Sequence, residues 1–424
     1  HKNDGIRVAF DHAGDILASV DWNGTLRFWN PRTGAQILRA QGSGQPRFSR
    51  DGRRMAYGAG GNKTDLWEVA AGREYRTLAR NTSLERGFYL SCAISPDGRL
   101  LVAAMLDGIM LWDLRAGAAL RFEKLGYVGC VLFESPTALL TNGDTGLLRW
   151  PLEQDASLPG SIGLGSPEKL QLPGSFAQIA CSPDGRVLAS AQYQSGGLVQ
   201  LRGHPDKIIR LSPHKDVRSI SVSPNGEWVA TGSHSGTGVK IWEAATGHLV
   251  KELLPDWGLT GVVFSPDNKW LATTGGAHYH LWAVGTWELG PQIAGPDVAG
   301  FTFSPDGKIL AAETGEGSIR LIDPATGREY ARLQDPGQDI AKCLAFTRDG
   351  AQLAAATDDS QSIHVWDLRA IRRQLSELGL DWNLPPYPDQ PRHDSSPPVG
   401  ESSPLPAPGQ RLIQRPAPPP PVER

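Results

Sequence analysis

The chain has 424 residues, enough to bury a large core, with 40% hydrophobic and 21% charged residues. Its formal charge of −3 gives no polybasic footprint, which argues against nucleic acid or an anionic membrane surface as partner. Nothing approaches 18 consecutive apolar residues, and Leu100 to Leu106 stops at seven, so no transmembrane helix is expected.

The chain opens on His1 with no basic stretch leading into an apolar one; no signal peptide is expected, and the start reads as that of a piece of something longer. From there a turn signal recurs as Ala13-Gly14, Asp51-Gly52, Asp97-Gly98, Asp184-Gly185, Asn225-Gly226, Asp267-Asn268, Asp306-Gly307 and Asp349-Gly350. Five of these sit inside Ser-Pro-Asp/Asn-Gly/Asn, at 95–98, 182–185, 223–226, 265–268 and 304–307. Pro presets φ for the first corner, Asp or Asn bonds its own backbone, and Gly or Asn accepts positive φ. A weaker copy, Glu134-Ser135-Pro136-Thr137, fills the gap after residue 98.

About 15 residues after each turn a β-rich run closes on Trp29, Trp67, Trp112, Trp150, Trp242, Trp282 or Trp366. Val199-Gln200-Leu201 and Arg320-Leu321-Ile322 hold that place in the two repeats without Trp. Trp29 to Trp366 spans 337 residues over eight intervals, a period of about 42, as expected for four strands per blade. Each of nine repeats then reads as strand a before the turn, b after it, c ending at Trp, and d after a Thr-Gly such as Thr246-Gly247.

With Val262-Val263-Phe264-Ser265-Pro266-Asp267 and Ile241-Trp242-Glu243 in view, the sequence resembles the WD40 family over residues 6–368. The resemblance implies an all-β propeller of four-stranded antiparallel blades. It departs from the pattern in places. Gly-His survives at Gly203-His204, with Pro213-His214 a weak echo, and literal Trp-Asp occurs only at residues 112–113 and 366–367. The family's Asp-His-Ser-Trp hydrogen-bond network is therefore expected to be missing from most blades, leaving apolar packing to carry more of the stability.

Closure sets the expected domain plan. After Trp366-Asp367 no strand d follows; Leu368, Ile371, Leu375 and Leu378 fall at helical spacing, with Asp367 as N-cap and Gly379 as terminator. The last blade then needs a strand from elsewhere, and residues 73–78 can supply it. That gives 1–70 as two repeats of a preceding, truncated propeller, 71–367 as a seven-bladed ring, 368–383 as a C-terminal helix and 384–424 as a disordered proline-rich tail. One eight- or nine-bladed ring, or an open arc, are the alternatives. The tail holds 14 of the 33 prolines. Arg415-Pro416-Ala417-Pro418 with Pro421 fits an SH3-ligand pattern, but four adjacent prolines make such matches cheap. The run from Trp366 to Leu375, with Gly379-Leu380-Asp381-Trp382 and Leu384-Pro385-Pro386-Tyr387-Pro388, is similar to the end of large bacterial WD40 proteins, many with a Ser/Thr protein kinase domain upstream. The resemblance implies a sensory or docking region behind a kinase.

Searching for chemistry returns little. Cys92, Cys130, Cys181 and Cys343 form no Cys-x-x-Cys pair and read as buried thiols of a reducing compartment, with the cytoplasm as the expected location. Gly58 to Thr64 misses the phosphate-loop spacing and reads as a b–c turn. His278 and His280 lie on one side of a strand, but no third ligand is near in sequence, and an exposed hairpin is the better reading. No hydrolase, metalloprotease or kinase motif is present, so neither an enzyme nor a cofactor is expected; a channel enzyme or small-ligand propeller is the rival. Binding remains. By the resemblance, d–a and b–c loops cluster at one mouth of the ring, and here they carry Tyr193, Lys215, Arg218, His234, Trp257, His278, Tyr279 and Asp359, the candidate contacts for a protein or peptide partner.

Overall fold

A computed structural model describes residues 7–10, 17–21, 25–29, 31, 36–41, 43–48, 54–60, 63–68, 75–79, 89–114, 118–154, 162–173, 177–194, 196–297, 300–315, 317–334, 340–357, 362–377, 379 and 381–387. The chain divides into two units, His1–Tyr387 and Pro388–Arg424. The second unit, with its SH3-like pattern, lies outside the described residues, as does Leu378.

The Ser-Pro-Asp-Gly corner sets the register of each repeat. In 304–307, Ser304 Oγ donates to Asp306 Oδ1 at 2.7 Å and accepts from Ile309 N at 2.9 Å, while Gly307, at φ +71°, donates its N–H to Ser304 O at 2.8 Å. The serine thus joins both arms of the turn from inside and is buried. Thr347 and Asp349 repeat this at 2.6 Å, and Asn268 holds the left-handed position at φ 60°.

Among the described residues there are nine sheets. Strands Arg7–Phe10, Leu17–Val20, Thr25–Trp29 and Gln36–Gln41 make one, and Ser43–Phe48, Arg54–Gly60 and Lys63–Glu68 make a three-stranded second, in which Gly58 pairs with Thr64 and Gly60 with Lys63. Seven sheets follow, here blades I to VII, in antiparallel order a-b-c-d from the inside. Their inner strands are Tyr89–Ile94, Val128–Ser135, Ile179–Cys181, Val217–Val222, Val262–Phe264, Phe301–Phe303 and Ala341–Phe346. Blade II carries an extra short strand, Glu168–Lys169, beside its strand c. The outer strand of blade VII is Tyr75–Ala79, far back in the chain, paired with Ser362–Asp367 in the register Ile363↔Leu78, His364↔Thr77, Val365↔Arg76. Sharing a strand this way covers an edge that would otherwise be unpaired.

Each neighbouring pair of blades shares an apolar core. Leu101, Ala103, Met105 and Trp112 of blade I meet Ala354, Ala356, Ile363 and Val365 of blade VII, with Leu78 from the donated strand, so the last blade packs against the first. The same arrangement joins I to II, II to III and onward to VI and VII. Small residues on strand b (Ala103, Ala230, Ala272, Ala311, Ala354) are fully buried and let the sheets approach; the larger partners each contribute about 1.5–3 kcal/mol of burial. Trp228 and Trp270 pack against these cores.

The polar network is fuller than the sequence implied. Trp29 Nε1 donates to Ser19, Trp150 to Thr141, Trp242 to Thr231 and Trp282 to Thr273, at 2.7–3.0 Å. The weak echo at Pro213-His214 proves to be the structural one: His214 is buried with Nδ1 2.8 Å from Thr231 Oγ1, whereas His204 is exposed on an outer strand. Thr stands in for Ser in three of these four pairs, and in blade IV the buried His214 joins the pair.

The helix spans Leu368–Glu377, shorter than the expected 368–383, and Asp367 caps it by accepting from Ala370 N at 3.0 Å. Order continues past 384, against the expected tail boundary. Residues 381–387 pack back on the core of blades VI and VII through Trp382, Leu384 and Tyr387. The buried Arg372 holds them: its guanidinium donates to Asp381, Trp382 O, Leu384 O and Pro385 O, and lies against the Trp382 and Tyr387 rings at 5.1 and 5.4 Å. Carbonyls without a regular strand or helix find their donor in one cation.

Candidate functional site

The d–a connections and b–c turns are stitched to one another by backbone bonds. Asp216 N donates to Tyr193 O at 2.8 Å, His234 N to Asp216 O at 2.9 Å, Thr260 N to Ser233 O at 2.8 Å and Gly238 N to Trp257 O at 2.9 Å. Loops of blades III, IV and V therefore form one continuous rim. Such a rim holds its side chains in fixed places without help from a partner.

Tyr193 and Arg218 meet there. The Arg218 guanidinium lies 4.9 Å from the Tyr193 ring centroid, and its Nε donates to Asp216 Oδ1 at 3.0 Å. His234 is exposed beside them; partial burial, then the Arg218 charge, lower its pKa, so the imidazole is uncharged at neutral pH. Lys215 is exposed on the same loop, and its carbonyl accepts from Ser233 Oγ at 3.1 Å. Trp257 is 47% exposed, and one face of its ring lies over Gly276, where a Cβ would come within 2.8 Å of the indole. His278 is half-buried with Nδ1 2.8 Å from Gly276 O.

Tyr279 corrects the sequence reading. It is 1% exposed, packs between blades V and VI, and donates its hydroxyl to Glu313 O at 2.7 Å. Burial pushes its phenol up in pKa. The cause is a tight two-residue turn: Gly276 and Ala277 both adopt positive φ, Gly275 pairs with His278, and residue 279 is already on strand c facing the next blade. His280 is likewise buried, with Nε2 2.9 Å from Gly275 O, so the 278–280 stretch is not an exposed hairpin. Asp359 lies outside the described residues.

Inside the rim the inner strands enclose a cavity of about 430 Å³, lined among others by Leu90, Tyr127, Gln178, Tyr193, Arg218 and Lys342. Among the described residues lining it there is no Asp, Glu or His, and no group of His, Cys, Asp and Glu among the described residues has metal-site geometry. Cys92, Cys130 and Cys343 also line it; all four cysteines are free, and burial raises the Cys130 thiol and lifts Cys181 to about 12. The Cys130 and Cys181 thiols are therefore protonated at neutral pH and poor nucleophiles.

Tyr127, Gln178 and Lys342 were not singled out from sequence. A signal exists for Lys342: it stands five residues before Thr347, as Arg218 stands five before Ser223. Both occupy β-bulges at the start of strand a, between Val217 and Ser219 and between Ala341 and Cys343, where the extra residue leaves the strand's alternation.

The family description "WD domain, G-beta repeat" matches residues 1–30 and 200–243. The chain is similar to the WD repeat-containing protein SL1-17 of Schistosoma mansoni, 31% identical over 185 residues, covering 43% of this chain and 57% of that one. It is also similar to the uncharacterized WD repeat-containing protein sll1491 of Synechocystis, 34% identical over 23% of this chain and 28% of that one. A third relative is the target of rapamycin complex subunit wat1 of Schizosaccharomyces pombe, 26% identical over 35% of this chain and 48% of that one. The chain spans less than two thirds of each of these relatives.

Proposed function

Because the chain belongs to the WD40-repeat family, we propose that it works as a non-catalytic scaffold that binds a protein or peptide at the rim formed by the loops of blades III to V. The observation that carries this reading is Trp257, a large aromatic side chain left nearly half exposed while seated against a glycine built to receive it. A rigid, exposed Trp costs little entropy to bury and gives up much apolar area, the profile of an interface anchor. Arg218 on Tyr193 adds a second pre-ordered group on the same rim. That one relative is named as a subunit of a complex agrees with an assembly role.

The finer reading, a docking region of a larger bacterial signalling protein working in the cytoplasm behind a kinase domain, is supported by the C-terminal sequence similarity and by four cysteines that form no disulfide. No helix among the described residues is long and apolar enough to cross a membrane. The test is affinity capture from the source cell with the intact chain and with Trp257→Ala. Proteins retained by the intact chain and lost from the variant, at unchanged melting temperature, identify partners of the rim. Equal recovery from both would remove Trp257 from the interface and with it this assignment.

A further inference from the structure

We propose that the cavity below the rim is an anion-binding pocket that receives a carboxylate side chain, so that the partner is an acidic peptide segment inserting Asp or Glu into the channel. This rests on the reading of the rim as the docking surface and states what chemistry that surface selects.

Two cations line the cavity, and both arrive by the same construction. Arg218 and Lys342 are bulge residues at equivalent positions of blades IV and VII, and a third such bulge places Gly129 of blade II on the lining. An arginine at this position is not left to wander. Asp216 takes its Nε and Tyr193 covers its ring-facing side, while its two terminal nitrogens make no hydrogen bond to the described residues. What remains is the half of the guanidinium fork that matches a carboxylate. Lys342, half-buried, has no ion-pair partner among the described residues.

The rest of the lining agrees in sign. No carboxylate among the described lining residues offsets the two charges, and Asp144, near Tyr127, is engaged in accepting Tyr127 N at 2.9 Å. Gln178 spends its carbonyl oxygen on Ser219 Oγ and Ile220 N, at 2.9 and 3.1 Å, so the group it has left is the NH₂ donor. The Tyr193 hydroxyl is a further polar group on the lining. Between walls of low dielectric, the Lys342 ammonium, without an ion-pair partner among the described residues, and the open half of the Asp216-paired Arg218 fork repel a cationic side chain and draw an anionic one. A volume of about 430 Å³ suits a side chain or two and not a folded element.

The test is fluorescence anisotropy of the full chain with three labelled Gly/Ser octapeptides, carrying Glu-Glu, Lys-Lys or Ser-Ser at the centre. The Glu-Glu peptide binds about tenfold tighter than the other two, and raising the salt from about 0.05 to 0.5 M erodes that margin. Arg218→Gln with Lys342→Gln abolishes the preference, and Lys342→Glu shifts it toward the Lys-Lys peptide. Should the double variant fail to fold, Lys342→Gln alone reduces the margin several-fold. Trp257→Ala weakens all three peptides alike and so reports on the rim separately. Equal binding of Glu-Glu and Ser-Ser to the intact chain overturns the anion pocket, while sensitivity to Trp257→Ala would leave rim docking intact. If no peptide binds yet inorganic phosphate raises the melting temperature of the intact chain and not of the double variant, the site takes free anions and the acidic-segment assignment fails. No binding of any probe overturns it altogether.

Discussion

In blade IV the polar groups near the rim converge on Thr231, which accepts from Trp242 at 2.7 Å and lies 2.8 Å from the buried His214. Blade VI has Ile322 where that Trp stands, and its rim is held by Glu313, 1% exposed, which accepts from Thr314 N and Gly315 N at 3.1 Å and from Ser318 N and Ala341 N at 3.2 Å. One carboxylate thereby ties the b–c turn of blade VI to the first strand of blade VII. The contrast teaches that the repeat demands a bridge between a turn and the next blade, and that the bridge can be neutral or charged. The two differ in how they answer to pH. A neutral bridge fails when acid charges it; a buried carboxylate is penalised when it is charged.

The comparison breaks most severely at Glu313. Glu313→Ala removes the shared acceptor of four N–H donors, of which Thr314 N keeps Ser318 O at 2.9 Å, and is expected to cost about 3 kcal/mol in urea unfolding, whereas Glu313→Gln, which keeps an acceptor, costs about 1. Acid sharpens it next. Burial, with Lys240 beside it, holds His214 down to about 4 from 6.5, so the stability tied to its neutral form is complete above about pH 6.5 and is lost as pH falls toward 4, about 3 kcal/mol in all. Glu313 runs the other way: burial raises its pKa above 4.5, so its own contribution improves as pH falls through that raised value. His214→Asn should flatten the acid limb of the unfolding midpoint, and Glu313→Gln should steepen it; the reverse pairing would refute the account. A modest effect is expected at Trp242→Phe, about 1.5 kcal/mol by thermal unfolding, since the ring volume is mostly kept and one buried hydrogen bond is lost.

The blades were legible because local chemistry dictates them. Ser304, Asp306 and Gly307 form their turn from within four residues, and the donated strand at Tyr75–Ala79 could be expected because Trp366 is followed by a helix. What was hidden depends on conformations the residue type disguises. Ala277 takes a left-handed turn position normally given to Gly or Asn, which moves Tyr279 from loop to strand and buries it. Residues 381–383 read as the end of the helix and 384–387 as the start of a proline-rich tail because their partner, Arg372, lies earlier on the helix and supplies the hydrogen bonds that composition cannot reveal. Lys342 escaped because a bulge, not the alternation of its strand, brings it to the channel.

Hydrogen–deuterium exchange of the intact chain, free and bound to a partner retained by affinity capture, tests most directly whether the rim is where binding occurs. Protection is expected at Tyr193, along 215–218, at His234 and across 257–260, with the outer strands Leu249–Leu253 and Leu289–Ala294 unchanged. Protection confined to those outer strands, with the rim exchanging as before, would contradict it.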